Sequence, residues 1–219
     1  MGVRGLWAVS ATALAGLILI NLLLANANAT AWLVLSLVAL VAAGFFCYRQ
    51  GANMGHAACG VSSTIESARM AGDKVYAQLD KKYLAQAWSV TTGLKGIFAG
   101  AAVPYVVGCI YIIISLLWRG NPSLEVPAIV ARIPAWLLSL PYWPIIMGLH
   151  VDFVALTWDI VIMLLLTPFI LPLVTFVGYL QGPRLWARTE EAMKQGRRRA
   201  KARARVGRKI APKVQKPEI

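Results

Sequence analysis

Asp159 has the clearest chemical potential in this 219-residue chain. It sits inside a long apolar run, seven residues after Asp152, a spacing that puts both carboxylates on nearly one face of a helix. An isolated carboxylate in hydrocarbon costs on the order of 3 kcal/mol or more, so Asp159 should face protein or water, and burial favours its protonated form. The chemistry this suggests is proton or ion handling. The plainer alternative is a carboxylate high enough in the run to reach water or a polar neighbour. His150 adjoins Asp152, and an imidazole that titrates near neutrality beside a carboxylate makes a proton-sensitive pair, though such pairs are often simply solvated.

His56 and Cys59 form an H-x-x-C pair, but a zinc site takes three or four protein ligands, so no metal centre is expected. The chain contains no P-loop, nucleophile elbow, H-E-x-x-H or dinucleotide fingerprint, and neither a cofactor nor enzymatic activity is expected. Near the other end, Arg197, Arg198, Arg199, Lys201, Arg203 and Arg205 form a polycation. Two partners suit it. Anionic lipid offers about 1 kcal/mol per basic side chain near the surface. RNA or the ribosome offers phosphates, and with no aromatic side chains interleaved, that contact would be nonspecific and salt-sensitive.

The elements that would hold these residues are set by composition. Hydrophobic residues make up 58% of the chain, charged residues only 14%, and mean hydropathy is +0.64. Soluble domains are about one-quarter charged, so this composition belongs in a bilayer. A spanning helix needs roughly 20 apolar residues. Four runs qualify: Gly5 to Leu24, Ala31 to Tyr48, Gly96 to Trp118 and Phe153 to Leu180. The link Asn26 to Thr30 is short enough to make the first two an antiparallel hairpin, and Pro168 and Pro172 predict a kink in the fourth. The stretch Ala135 to Leu149 is apolar but too short to cross, and it reads as interfacial or re-entrant. A crossing there would make five spans.

Charge patterning orients the spans. Of the net +13, the segment from Arg184 onward supplies most, with 13 basic residues against three acidic. Basic residues alternate between rich and poor segments, which places the N-terminus, the middle loop and the tail in the cytoplasm. Trp7, Trp32, Tyr48, Trp118 and Tyr179 fall near span ends, where amphipathic rings favour the headgroups. A competing reading takes Arg4, the first apolar run and Ala25 to Ala29 as a cleaved secretory signal. Cys47, Cys59 and Cys109 contain no C-x-x-C pair and give no disulfide framework.

Within the middle loop, Ser63 and Glu66 fit a helix-starting capping box, predicting an amphipathic cytoplasmic helix over about 64–91. Gly51 and Gly55, then Gly96, Gly100 and Gly108, are spaced for close helix approach. A short helix is expected through Gln195, then the basic run, ending in a disordered segment rich in Pro and Lys.

The sequence therefore predicts an all-α, polytopic membrane bundle. A four-helix domain covers 1–183, with its cytoplasmic helix and re-entrant segment, and a basic tail covers 184–219. The expected location is a cell membrane, with a bacterial inner membrane favoured by the short loops and strong charge asymmetry. The leading functional expectation is a non-enzymatic structural or accessory subunit of a membrane complex. The alternatives are a small transporter or channel with Asp159 in its path, and a membrane tether that binds ribosome or nucleic acid through its tail.

Overall fold

A computed structural model describes residues 2–71, 84, 86–118, 125–142 and 158–210, the side chains of 2–3, 125, 159 and 202–210 excepted. Among the described residues every regular element is helical. They are α1 (Gly2–Leu23), α2 (Ala29–Met70), α3 (Val90–Trp118), α4 (Glu125–Ser139), α5 (Trp158–Leu180) and α6 (Gly182–Ile210), with 3-10 turns at Leu24–Asn26 and Leu140–Tyr142. α1, α2, α3 and α5 are long and apolar enough to cross a membrane. Their outward faces are apolar, with Val41 67% and Phe45 65% exposed, the inverse of a water-soluble bundle.

Glycine contacts fix the helix directions. Gly96 meets Leu6 and Gly100 meets Ser10, so α1 and α3 run parallel. Gly51 meets Thr175 and Gly55 meets Tyr179, so α2 and α5 also run parallel. Gly93 meets Phe176, Gly100 meets Pro172 and Gly108 meets Leu164, which sets α3 against α5. The result is an up-down-up-down bundle with two buried clusters. One joins Ala13, Leu17, Cys47 and Leu171. The other joins Tyr111, Ala135, Ile160 and Leu164.

The α1–α2 hairpin closes through polar groups. Asn28 caps α2 by accepting the Ala31 N–H at 2.8 Å. Deeper in, the Ser36 hydroxyl donates to Asn21 Oδ1 at 2.8 Å, while Asn21 Nδ2 donates to the Leu17 carbonyl at 2.9 Å. Both side chains are almost wholly buried, and their bond across the helices is worth about 1 kcal/mol in an apolar setting.

Two sequence expectations are revised. No helix starts at Ser63: α2 runs unbroken from Ala29 to Met70, and the Ser63 hydroxyl donates to the Gly60 carbonyl at 2.9 Å within the helix. No proline interrupts the stretch after Tyr48, and its glycines are held by packing, so the second span and the start of the loop helix are one rod of 42 residues. Residues 72–83 and 85 of the expected loop helix lie outside the described residues, and 86–89 form a turn and link before α3, not the end of that helix. The second revision concerns the tail, whose helix does not stop at Gln195 but continues to Ile210. Ala, Arg and Lys are strong helix formers, and Lys194 pairs with Glu190 at 2.8 Å one turn away.

Between α3 and α5 the structure adds a helix to the segment expected to be interfacial or re-entrant. A helix begins at Glu125, ten residues before the apolar stretch, with the Arg132 guanidinium stacked 3.8 Å over the Trp136 ring. Ala135 packs beside Tyr111, and Tyr142 lines a small cavity together with Ser10, Gly100, Pro104 and Pro172. α4 therefore enters the bundle from the Trp118 end and stops near the middle of α3. Residues 143–149 of the apolar stretch lie outside the described residues. α5 stays helical through Pro168 and Pro172.

Candidate functional site

Among the described residues, the closest approach of helix backbones lies where the bundle passes into its extension, at the Tyr48 and Tyr179 end. Two glycine pairs at four-residue spacing, Gly51 with Gly55 and Gly178 with Gly182, interlock there. A Cβ on Gly51 would collide with the Thr175 carbonyl, on Gly55 with the Tyr179 carbonyl, on Gly178 with the Tyr48 carbonyl, and on Gly182 with Gly55 itself. Only glycine allows this approach of backbone to backbone, which gains dispersion contacts and Cα–H···O contacts along the seam.

The seam continues beyond the level of Tyr48 and Tyr179. Trp186 covers Gly60, lies 5.2 Å from the His56 ring and tilts across it. His56 Nε2 is 3.0 Å from the Thr189 hydroxyl, which donates to the Trp186 carbonyl at 2.8 Å. α2 and α6 thus form a two-helix stalk that prolongs the parallel pair of α2 and α5. Cys59 is buried within it, and burial pushes its thiol above the ordinary value. His56 and Cys59 are both taken up by this packing, and among the described residues no group of three or more His, Cys, Asp or Glu could hold a metal ion.

Tyr179 fastens α3 to the base of the stalk. Its ring stacks with Trp88 at 6.2 Å, its carbonyl accepts Trp88 Nε1–H at 3.4 Å, and its hydroxyl accepts the Ser89 N–H at 3.3 Å. The Trp88 N–H donates to the Ser62 hydroxyl at 3.0 Å on α2. Ser89 in turn caps α3, its oxygen accepting the Thr92 N–H at 3.1 Å. Three helices from distant parts of the sequence are tied at one level.

The glycines singled out in the sequence all meet this chain's own helices. Besides Gly51 and Gly55, Gly96 sits against Leu6, Gly100 lies 3.1 Å from Pro172 Cγ by its would-be Cβ, and Gly108 lies 3.3 Å from the Leu164 carbonyl oxygen. Asp159 falls in the first described turn of α5, next to Ile160, which packs with Tyr111 and Ala135. Its side chain lies outside the described residues, as do Asp152 and His150 altogether. Arg197, Arg198, Arg199 and Lys201 are exposed on α6, and Arg203 and Arg205 follow on the same helix.

The sequence reading did not single out Arg49, Arg184 and Arg188. With Tyr48, Phe45 and Asn53 they line a groove of about 340 Å³ beside the seam. The available signal was a helix period: Arg184 and Arg188 follow Val177 and Leu180 on one face, and Arg49 follows Val41 and Phe45. No family model, no curated protein and no solved structure matches this chain.

Proposed function

We propose that the chain is a non-enzymatic structural or accessory subunit of a membrane assembly, holding a rigid basic stalk on the cytoplasmic side of a cell membrane. In this reading α1, α2, α3 and α5 are the spans, α4 is a re-entrant half-helix, and the excess of Lys and Arg keeps both termini and the stalk inside. The observation that carries it is the unbroken glycine seam. α2 alone is about 63 Å long at 1.5 Å per residue, twice the roughly 30 Å of hydrocarbon, so span and stalk form one mechanical piece. Buried polar side chains in the bundle support a packing role. Thr167 and Thr175 bond back to their own helix, and Ser10 lies 3.4 Å from Thr175 across the α1–α5 contact.

Among the described residues nothing covers α6 beyond Glu190, and residues 191–201 are exposed. Arg197 lies 16 residues past Gln181, about 24 Å along the axis, while surface charge is screened within about 8–10 Å. A stalk that continues the direction of the spans carries this cluster past the headgroups to an acidic surface of a partner subunit. Gentle extraction followed by crosslinking tests the reading. A stable heteromer that loses its partner on truncation after Gln195 is expected, and copurification as a lone monomer would overturn it. The same polycation favours a second reading, a tether for RNA or the ribosome, in which nuclease treatment releases the partner.

A further inference from the structure

The geometry points to a binding site for the phosphate of an anionic phospholipid in the groove formed by Arg49, Arg184 and Arg188. It rests on the reading of α2 and α5 as membrane spans, and it is separate from the basic run on α6. The groove, about 340 Å³, is large enough for a headgroup, and Asn53 and Gln181 add amide donors to its walls. Among the described residues none of the three arginines is in an ion pair. Guanidinium forks suit phosphate oxygens in bidentate geometry, and three of them around one groove concentrate positive charge there.

Position makes the phosphate that of a lipid. On α2 the residues leading to Arg49 along the same face are Val38, Val41 and Phe45, all strongly exposed and apolar. On α5 the face leading to Arg184 carries Leu173, Val177 and Leu180, also exposed. Both walls are thus apolar along the spans and basic just beyond them, with Tyr48 at the change. That order matches an amphiphile standing in the leaflet, acyl chains along Phe45 and phosphate at the arginines. Because one wall belongs to α2 and the other to Gln181 and α6, the bound lipid would bridge the two sides of the glycine seam.

Native mass spectrometry of the full detergent-extracted chain, titrated with phosphatidylglycerol, phosphatidylcholine or inorganic phosphate, tests the site. Retention of phosphatidylglycerol over phosphatidylcholine is expected, with apparent affinity falling about tenfold or more in R49Q/R184Q/R188Q and about twofold or less in R197Q/R198Q/R199Q. The charge-conserving R49K/R184K/R188K should fall between them, since lysine keeps the charge and loses the fork. Equal losses in the groove and α6 variants would mean a general charge effect and overturn the site, as would no loss in either. Inorganic phosphate binding as tightly as the lipid would assign the groove to a soluble anion and overturn the lipid proposal. If the triple variant melts early, Arg188→Gln alone, on the exposed outer wall, carries the same comparison. Alkaline extraction separates the two levels: release of the chain from membranes defeats the spanning reading, whereas firm retention without lipid selectivity defeats only the site.

Discussion

At the scale of single residues, the glycines divide into two kinds that a sequence cannot separate. Gly51 and Gly178 sit where a methyl group would overlap a neighbouring backbone carbonyl, while Gly16 and Gly44 look onto open space. Gly51→Ala and Gly178→Ala should each destabilise the bundle by about 1–3 kcal/mol, read from unfolding in detergent, because backbone cannot retreat as a side-chain end can. Gly16→Ala and Gly44→Ala should leave stability unchanged or raise it by up to about 1 kcal/mol. Tyr179→Phe removes the acceptor for the Ser89 N–H and should cost about 1 kcal/mol by the same measurement. Cys59 lies in the stalk, and burial raises its thiol above the ordinary value. Alkylation at pH 8 should therefore run several-fold slower than in the denatured chain, since the thiolate is the nucleophile. The sign for stability follows: the folded thiol holds its proton more tightly, so its contribution is intact below the ordinary thiol value and is lost as pH rises from there through the raised folded value.

At the scale of elements, α6 is where local propensity and packing part company. Residues 182–190 are held by α2, whereas among the described residues the exposed stretch from Glu191 rests on local terms, helix propensity and the Glu190–Lys194 pair. Gly196 has nothing within reach of a Cβ, so Gly196→Ala should add about 1 kcal/mol of helix stability and Gly196→Pro remove about 3, seen as helicity by circular dichroism. The four apolar helices were legible in the sequence because about 20 apolar residues in a row have one stable arrangement in hydrocarbon. Their continuation was not. Ser63 and Glu66 carry the residue types of a helix start, yet the same residues fit a helix interior once Gly51 and Gly55 have been fixed against α5 from outside. The groove of Arg49, Arg184 and Arg188 was hidden for a related reason: its two walls are more than a hundred residues apart, and only the seam brings them together.

At the scale of the whole molecule, topology is the property to settle by labelling. Single cysteines at Asn28 and Gln195, in a background without the native three, should react with an impermeant reagent in intact cells at Asn28 only; labelling at Gln195 would place the stalk outside and undo the partner assignment. The parallel pairing of α2 with α5 and α6 also has a consequence for biogenesis. The halves of the seam, Gly51 and Gly178, are 127 residues apart in the chain, so at about 5–20 residues per second the second half leaves the ribosome some 6–25 s after the first. For that interval the face of α2 that meets α5 lacks that partner, and its stalk half lacks the cover of Trp186. A chain halted before α5 should accordingly be cleared by membrane proteases faster than the complete one, in a pulse-chase comparison, even though its first hairpin is already closed by Asn21 and Ser36.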